Sequence, residues 1–462
     1  MKVNLYIKFV TIFSLILVTM NSCDKFVDVD LPKSQLTNVN VFDSYQTADA
    51  ALTDVYSKIR DRGILNGTGT GLSSTLGHYT DEMTPYGLST NANFSYYNNA
   101  LQSNSSSIAE CWNTTYNHIY AANSVIEGVA KSANLKAENK RQLTGEAIFI
   151  RALLHLYLVN LFGDVPYVKI TDYRENSLVS RMSTKEVYQN IVTDLKTAIS
   201  LLPVNYTTSD RVRPNQYVAS ALLARTYLYS GQYTEAANTS SGLISQSNIF
   251  QLSQNINEVF LINSKETMWQ LKSAVAGQNT KEGTTFIFLS GPPAMLALNV
   301  NLVNSFATGD LRRLNWVKSV SNGTNTWYHA FKYKERNNTS SSLEYSIVLR
   351  LSEQYLIRAE ARTQTGDLAG AKDDLNQIRR RAGLSNTLAI TKEEILGAIL
   401  NERRWEFFTE HGHRFFDLKR FNKIDEVLSV TKPSWSTNAR LFPIPDSELG
   451  TNQNLRPQNP GY

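Results

Sequence analysis

Residues 146–168 read EAIFIRALLHLYLVNLFGDVPYV, and the fold turns on this stretch. Ala147, Ile150, Leu154, Leu158 and Leu161 recur at steps of three and four, the period of a helix with one apolar stripe. Leu153, Leu156 and Tyr157 widen that stripe beyond the face of a surface helix, which predicts a helix buried on more than one side. Gly163 can adopt the left-handed conformation that closes a helix, and Pro166 stops it from continuing. Val165 to Val168 then reads as a short extended segment.

The flanks carry the same period. Upstream, Ile108, Trp112, Ile119, Asn123 and Ile126 are in phase on one helix. Downstream, Ser183-x-x-Glu186 is a capping box ahead of Val187, Ile191, Leu195 and Ile199. Further on, Ala224, Gly231 and Ala236 stand seven and five apart, and Ala359, Gly366 and Ala371 repeat that spacing, with Leu243 matching Ile378. Small residues let two helices approach and the glycine turns the chain between them, the pattern of a tetratricopeptide-type helix pair. Thr391-x-x-Glu394 caps a last long helix expected to run to Arg420. A first helix is expected to start near Ser44 or Thr47, with Ala48, Ala51, Leu52, Val55 and Ile59 on one face. The fold class is therefore mainly α, with helix pairs over about 108–246 and 346–420.

Two regions do not read as long helices. Residues 60–75 and 77–107 read as polar loops, the second rich in Tyr, Asn and Ser; loops of that length are usually functional or disordered. The glycines at 67, 69 and 71 lack the GK[ST] ending of a phosphate loop. From about 250 to 345 the text changes again. Thr267 to Leu271 alternates like a short strand, and 274–284 and 319–326 read as loops. Trp316, Trp327 and Tyr328 fall on or beside loops, whereas Trp112, Trp269 and Trp405 sit in regular patterns and read as core. Asp310, Arg312 and Arg313 read as a structural charge cluster. The tail from Leu441 is rich in Pro and Asn and reads as irregular.

Length and composition admit two or three cores in 462 residues, with 42% hydrophobic and 19% charged side chains. The formal charge of +5 comes without a basic run and gives nucleic-acid binding no support. Lys2 and Lys8 accompany an apolar run, Phe9 to Met20, too short for a membrane span of roughly 20 residues. It fits a secretory signal peptide over 1–22. Cys23 follows, preceded by Met20, Asn21 and Ser22 in place of the usual lipobox residues, and resembles the lipidated first residue of a bacterial lipoprotein. Removing residues 1–22 deletes two lysines and no acids, so the mature charge is 46 − 2 − 41 = +3. Of the two cysteines, Cys23 would carry lipid, and Cys111 would then have no intramolecular partner. Residues 23–40 read as an acidic tether, and no later stretch reads as apolar enough to cross a membrane. The chain would be anchored to a membrane by lipid alone.

Catalytic signatures are sparse. His411 and His413 near Glu406 and Glu410 are separated by a glycine and lack the one-face spacing of a zinc helix, so no metal is expected. Glu402, Glu406, Arg403 and Arg420 read as an ion-pair network rather than the acid pair of a glycosidase. No nucleophile elbow or dinucleotide fingerprint appears, and no cofactor or enzymatic activity is expected.

Four stretches together resemble the SusD/RagB family of outer-membrane nutrient-binding lipoproteins: Cys23 to Pro32; Arg151-Ala through Phe162-Gly-Asp-Val-Pro166; Glu402 through His413-Arg-Phe-Phe-Asp-Leu418; and Leu441-Phe-Pro-Ile-Pro445 with the ending Asn459-Pro-Gly-Tyr462. The resemblance implies a single SusD-like domain over 41–462, with about four tetratricopeptide-like helix pairs packed against an irregular, loop-rich half. It implies docking of the helix pairs onto a SusC-like TonB-dependent transporter and a ligand site in the irregular half, over about 77–107 and 250–345. It also implies a lipid-anchored position on the cell's outer membrane and delivery of oligosaccharide to the transporter. A sugar offers an apolar C–H face to aromatic rings and a rim of hydroxyls to polar side chains. On that basis Asp81, Tyr86, Tyr96, Tyr97 and Asn98 form one expected ligand-binding set, and Trp327 with Tyr328 a second platform. The alternatives are a helical-repeat lipoprotein that scaffolds membrane-protein assembly and a binder of peptide or another nutrient.

Overall fold

The computed structural model describes residues 41–462. The leader at 1–22, Cys23 and the tether at 23–40 lie outside the described residues. Helix α1 (Tyr45–Asp61) begins where Ser44 Oγ accepts the Thr47 N–H, and it buries Ala48, Leu52, Val55 and Ile59. Then come α2 (Leu72–Tyr79), β1 (Met83–Pro85) and α3 (Ala92–Tyr97, capped by Asn91). The reading of 60–75 and 77–107 as loops is corrected here: α2 reaches into both, and the second also holds α3. Every residue of α2 is buried, its serines and threonine included; Leu72, Leu76 and Tyr79 keep a helical period, but over only two turns.

The long helices follow: α4 (Ser106–Lys131), α5 (Ala137–Phe162), the single turn α6 (Tyr173–Asn176), α7 (Thr184–Leu201), α8 (Gln216–Tyr229) and α9 (Tyr233–Ile244). The chain then passes through β2 (Thr267–Leu271), α10 (Lys281–Phe286), β3 (Leu296–Leu298), α11 (Val300–Ser305), α12 (Leu311–Asn315), β4 (Val317–Ser321), β5 (Thr326–Ala330) and β6 (Ser346–Arg350). It returns to helix in α13 (Leu351–Thr365), α14 (Leu368–Arg381), α15 (Lys392–Phe407), α16 (His413–Arg420) and α17 (Ile424–Thr431), and closes with α18 (Asp446–Thr451). The expected single helix ending at Arg420 is two, α15 and α16, broken at Phe408 to Gly412, where Thr409, His411 and Gly412 all have positive φ. Residues 281–284 and 319–321, expected in loops, lie in α10 and β4.

The helices form a row. α4 packs on α5, α5 on α7, α7 on α8 and α8 on α9. α9 then packs on α13, although about a hundred residues separate them, and α13 on α14 and α15. The stretch between α9 and α13 thus leaves the row and rejoins it. The two alanine–glycine–alanine units are the pairs α8/α9 and α13/α14. Ala224, Ala236, Ala359 and Ala371 are fully buried at the helix contacts, and Gly231 and Gly366 turn the chain with φ of +76° and +95°. Both expected capping boxes form, at Ser183/Glu186 and Thr391/Glu394.

α5 is the centre of the row. It is buried from Gly145 to Phe162 except at Asn160. By length and composition it could cross a membrane, which corrects the expectation that no later segment is that apolar; here its apolar face is covered by protein instead. Gly163 closes it at φ +75°, its N–H bonding Val159 O at 3.0 Å. The extended segment after it is tied back to the same helix. His155 Nε2 accepts the Val168 N–H at 3.2 Å, and its ring stacks on Tyr167 at 3.9 Å. Arg151 makes a two-point pair with Asp194 of α7, and Tyr167 Oη donates to the same carboxylate. The Phe-Gly-Asp-Val-Pro text is thus a helix stop whose exit strand is bolted to the core.

A second apolar core underlies the sheet β1-β3-β5-β4, in which every pairing is antiparallel. β2 and β6 pair separately, and both are buried at every position, so the alternation read at 267–271 does not mark one solvent face. Between this region and the helix row runs a buried seam of ion pairs. Glu406 meets Arg312, Arg350 and Arg381. Arg350 also reaches Glu266 and Glu410, and Lys332 pairs with Glu410. Glu402 pairs with Arg312 and Arg379, and Arg403 with Asp417. Glu402, Glu406, Arg403 and Arg420, expected as one network, are all ion-paired but not with one another: Arg420 pairs with Glu360 and shares Asp417 with Arg403, and the glutamates take arginines from other elements.

Candidate functional site

The candidate site is built on the sheet. β1 and β3 pair as Met83↔Leu298, Thr84↔Ala297 and Pro85↔Leu296. β5 lies on the other side of β3 through Leu298↔Tyr328. Just past β1, the Tyr86 N–H donates to Met295 O at 2.8 Å. Gly87 follows at φ +89°, where a Cβ would stand 2.7 Å from Ala294 O, so only glycine lets the two segments close. On β5, Trp327 is half-buried against Gly291: a Cβ there would overlap the indole. The missing side chain lets the ring rest on bare backbone. Around these contacts Leu88, Leu289 and Met295 keep apolar side chains in solvent, at 79%, 75% and 38% exposure. This is an aromatic and apolar ledge.

Met295 also lines a cavity of about 260 Å³. Its other walls include Gly69 and Thr70 from the glycine-rich turn, Asn91 and Asn93 from the start of α3, and Glu110 from α4. Asn93 is 4% exposed, yet its side-chain amide has no hydrogen-bond partner among the described residues. The amide faces the cavity, where it is free to bond water or a ligand. The Trp327 indole N–H also lacks an acceptor among the described residues, while Trp269, Trp316, Trp405 and Trp435 all donate theirs. Apolar faces beside unpaired donors and acceptors suit a ligand with both characters.

The structure sorts the expected site residues. Tyr86 and Trp327 stand on the one sheet, with β3 between their strands. Tyr328 does not form a platform with Trp327. Neighbours on a strand point to opposite faces, and Tyr328 packs against the second core, with the Arg313 guanidinium 5.2 Å from its ring centroid. Asp81 is withdrawn from the set: it is 4% exposed and bound by Arg414 at two points and by Arg404. Burial alone would raise its pKa, but the two guanidiniums outweigh burial and hold it below the usual carboxylate range. Tyr96 is core, edge-on to Tyr79 and tilted on Phe442. Tyr97 has one ring face covered by the Lys432 ammonium, 3.6 Å from the centroid. Asn98 is the exposed C-cap of α3. Asn93, Met295 and Gly291 were not singled out in the sequence. The Gly-Pro-Pro turn at 291–293 and the Asn-x-Asn at 91–93 were the available signals.

Other candidate groups are structural. Glu402 and Glu406 are fully buried and neutralised by arginines, out of reach of any glycosidic bond. His411 bonds Ile347 O, His413 stacks on Phe407, and burial lowers both pKa values, that of His411 to about 4. Trp112 and Trp269 are buried as expected; Trp405 is half-buried, and Trp316, expected near a loop, is fully buried. Among the described residues no three His, Cys, Asp or Glu side chains are placed to hold a metal ion.

Comparison with known proteins agrees with this architecture. A family model described as "Starch-binding associating with outer membrane" matches residues 25–228, and one described as "SusD family" matches 312–462. SusD-like protein P25 of Formosa agariphila is 26% identical, over 93% of this chain and 94% of its own. Among solved structures, a SusD superfamily protein from Parabacteroides distasonis superposes with a TM-score of 0.78 at 24% identity, covering 93% of this chain and all of that one. A laminarin-binding SusD-like protein superposes with a TM-score of 0.76 at 24% identity, covering 90% and 99%. The chain belongs to the SusD/RagB family, and its mainly helical fold is that of the SusD superfamily.

Proposed function

We propose that this protein is a non-catalytic glycan receptor, which takes its ligand on the Trp327 ledge. The observation that carries this reading is Trp327 itself: a half-buried ring seated on Gly291, its N–H without an acceptor among the described residues, beside a cavity that the Asn93 amide faces. A sugar ring stacks by its C–H face and bonds by its hydroxyls, and both needs meet here. The starch-binding description of the matched family and the laminarin-binding relative support the same ligand class. In this reading residues 41–462 act as one domain, lipid on Cys23 holds the protein at the cell surface, and the ligand passes to a SusC-like TonB-dependent transporter.

Affinity electrophoresis and titration calorimetry against a panel of soluble polysaccharides, laminarin and starch among them, test the ligand class. Wild type should retard on at least one polymer, and Trp327→Ala should bind it about tenfold or more weakly. Binding to peptides but to no polysaccharide overturns the glycan reading. Cys23→Ala should leave the protein out of the membrane fraction, and pulling the wild type from outer membranes should bring a barrel transporter with it.

A further inference from the structure

A second concave surface lies away from the ledge, where α4 faces the segment after α5 and the start of α18. It is a cavity of about 490 Å³. Trp112, Tyr116 and Tyr120 line it from α4 at four-residue spacing, so successive rings advance along the helix by about 6 Å. The rings of Trp112 and Tyr116 lie 4.9 Å apart, and the Tyr116 hydroxyl is tied to Pro166 O at 2.9 Å. Tyr120 ends the ladder, 50% exposed.

Asn176, Ser177, Thr451 and Asn452 line this cavity with side chains already bonded to backbone carbonyls, but four other polar groups are unspent. Trp112 is 3% exposed, and its indole N–H has no acceptor among the described residues. Trp112 and Trp327 are the two tryptophans of the six in this state; the other four donate to protein acceptors. The Trp112 N–H opens onto the cavity, where a ligand hydroxyl could accept it. The side-chain amides of Asn113 and Asn117 and the half-buried carboxylate of Glu448 line the same cavity, and none of them bonds another described residue. Other carboxylates near the helix row, such as Asp194 and Glu353, are met by arginines.

We propose that this cavity is a second sugar-binding subsite, in which Tyr120 stacks one pyranose unit while Glu448, Asn113, Asn117 and the Trp112 N–H bond its hydroxyls. It rests on the glycan reading above and adds to it: one polymer chain, or two, would be held at two places. Holding one polymer at two points raises its apparent affinity without new contacts at either.

Tyr120→Ala and Glu448→Gln, made in the full chain, test it on the polysaccharide of the laminarin and starch panel that wild type binds. Both positions are solvent-reachable, and unchanged circular dichroism and melting show that the variants fold. Each should weaken polymer binding by about tenfold, add to the loss in Trp327→Ala, and lower the calorimetric stoichiometry for short oligosaccharides of the same linkage from two to one. Polymer affinity and stoichiometry unchanged in both variants, with Trp327→Ala impaired, overturn this subsite and leave the ledge standing. Unchanged glycan binding with loss of a co-purifying membrane protein makes the cavity a protein interface and overturns it too. No polysaccharide bound by wild type removes the ledge and this subsite together.

Discussion

Two carboxyl groups, both fully enclosed, behave in opposite ways. Glu406, in the seam between the helix row and the sheet, would be pushed toward its neutral form by burial, but Arg381, Arg350 and Arg312 overcome this and hold its pKa well below the ordinary value. Glu82, on the approach to β1, has no such partners. Burial and the neighbouring charge of Asp81 push its pKa up to about 7, and its Oε1 has no hydrogen-bond partner. The seam is a place where charge has been paired, and the paired groups hold two regions together. The region that carries the ledge keeps polar groups unpaired at Glu82, Asn93 and Trp327. Paired charges join the two regions even though single seam atoms, Arg381 Nε and Arg403 Nη1 among them, bond no other described residue; the Asn93 amide and the Trp327 N–H instead face space that a ligand can enter.

The largest expected effect comes from breaking the seam. Arg350→Met leaves Glu266, Glu406 and Glu410 each short of a cation in a buried place. Removing one partner of a buried pair costs about 3–5 kcal/mol, and urea unfolding should place this variant at or beyond the top of that range. A midpoint equal to wild type would show that the seam does not hold the two regions together. Asp81→Asn ranks next, at about 3 kcal/mol, because it leaves Arg404 and Arg414 facing a neutral amide. Its polysaccharide affinity, measured on the folded protein, should match wild type. A large loss of affinity at wild-type stability would restore Asp81 to the binding set.

Asp81 shows what a sequence carries and what it does not. Its partner Arg414 lies 333 positions away, and no local pattern reports such a pair. The same holds for Tyr96, whose neighbour Phe442 comes from the tail. By contrast Gly163, the two capping boxes and the alanine–glycine–alanine spacing are local statements about helix ends and close helix contacts, and each was legible. The row of helices followed from them. Residues 72–79 carry Leu72, Leu76 and Tyr79 in helical phase, but two turns set in polar text are too short for a period to stand out, and 92–97 is shorter still. Trp327 was visible as a spare aromatic, but the opposite facing of Tyr328 required knowing that 326–330 is a strand. Asn93 was hidden in plain polar text: an unpaired amide is a property of the packed structure alone.

Glu82→Gln tests the other half of the comparison. The folded protein keeps the Glu82 proton up to about pH 7, while the unfolded chain releases it near its ordinary value of 4.5. Between those limits the folded state binds more protons, so this group's contribution falls as pH rises through the window and is least favourable above pH 7. The glutamine variant lacks that penalty. It should unfold close to wild type at pH 5 and be more stable at pH 8 by about 2 kcal/mol, since each tenfold gain in proton affinity on folding is worth about 1.4 kcal/mol and local relaxation takes up part of the total. Equal stability of the two proteins at both pH values would mean that Glu82 is reached by water or by a cation when folded.

The smallest effect on stability, and the one that sharpens the comparison most, belongs to Trp327→Ala. The ring rests on Gly291 at the surface and bonds nothing through its N–H, so truncation removes some stacking on backbone and leaves no buried group unpaired. Unfolding free energy should change by about 0.5–1 kcal/mol at most, far less than for Arg350 or Asp81. Polysaccharide affinity should nonetheless fall about tenfold, the cost of one lost aromatic face at the centre of a binding surface. Trp327→Phe, which keeps a ring and removes the N–H, separates the two contributions: partial recovery assigns the main share to stacking, and none assigns it to the hydrogen bond. Neither Trp327, Met295 nor Asn93 titrates, so the fold-loss of affinity on Trp327→Ala should stay constant from about pH 5.5 to 8, even where Glu82 makes stability slope. A variant that loses stability and affinity in proportion would erase the contrast, since the ledge would then be another part of the packed core.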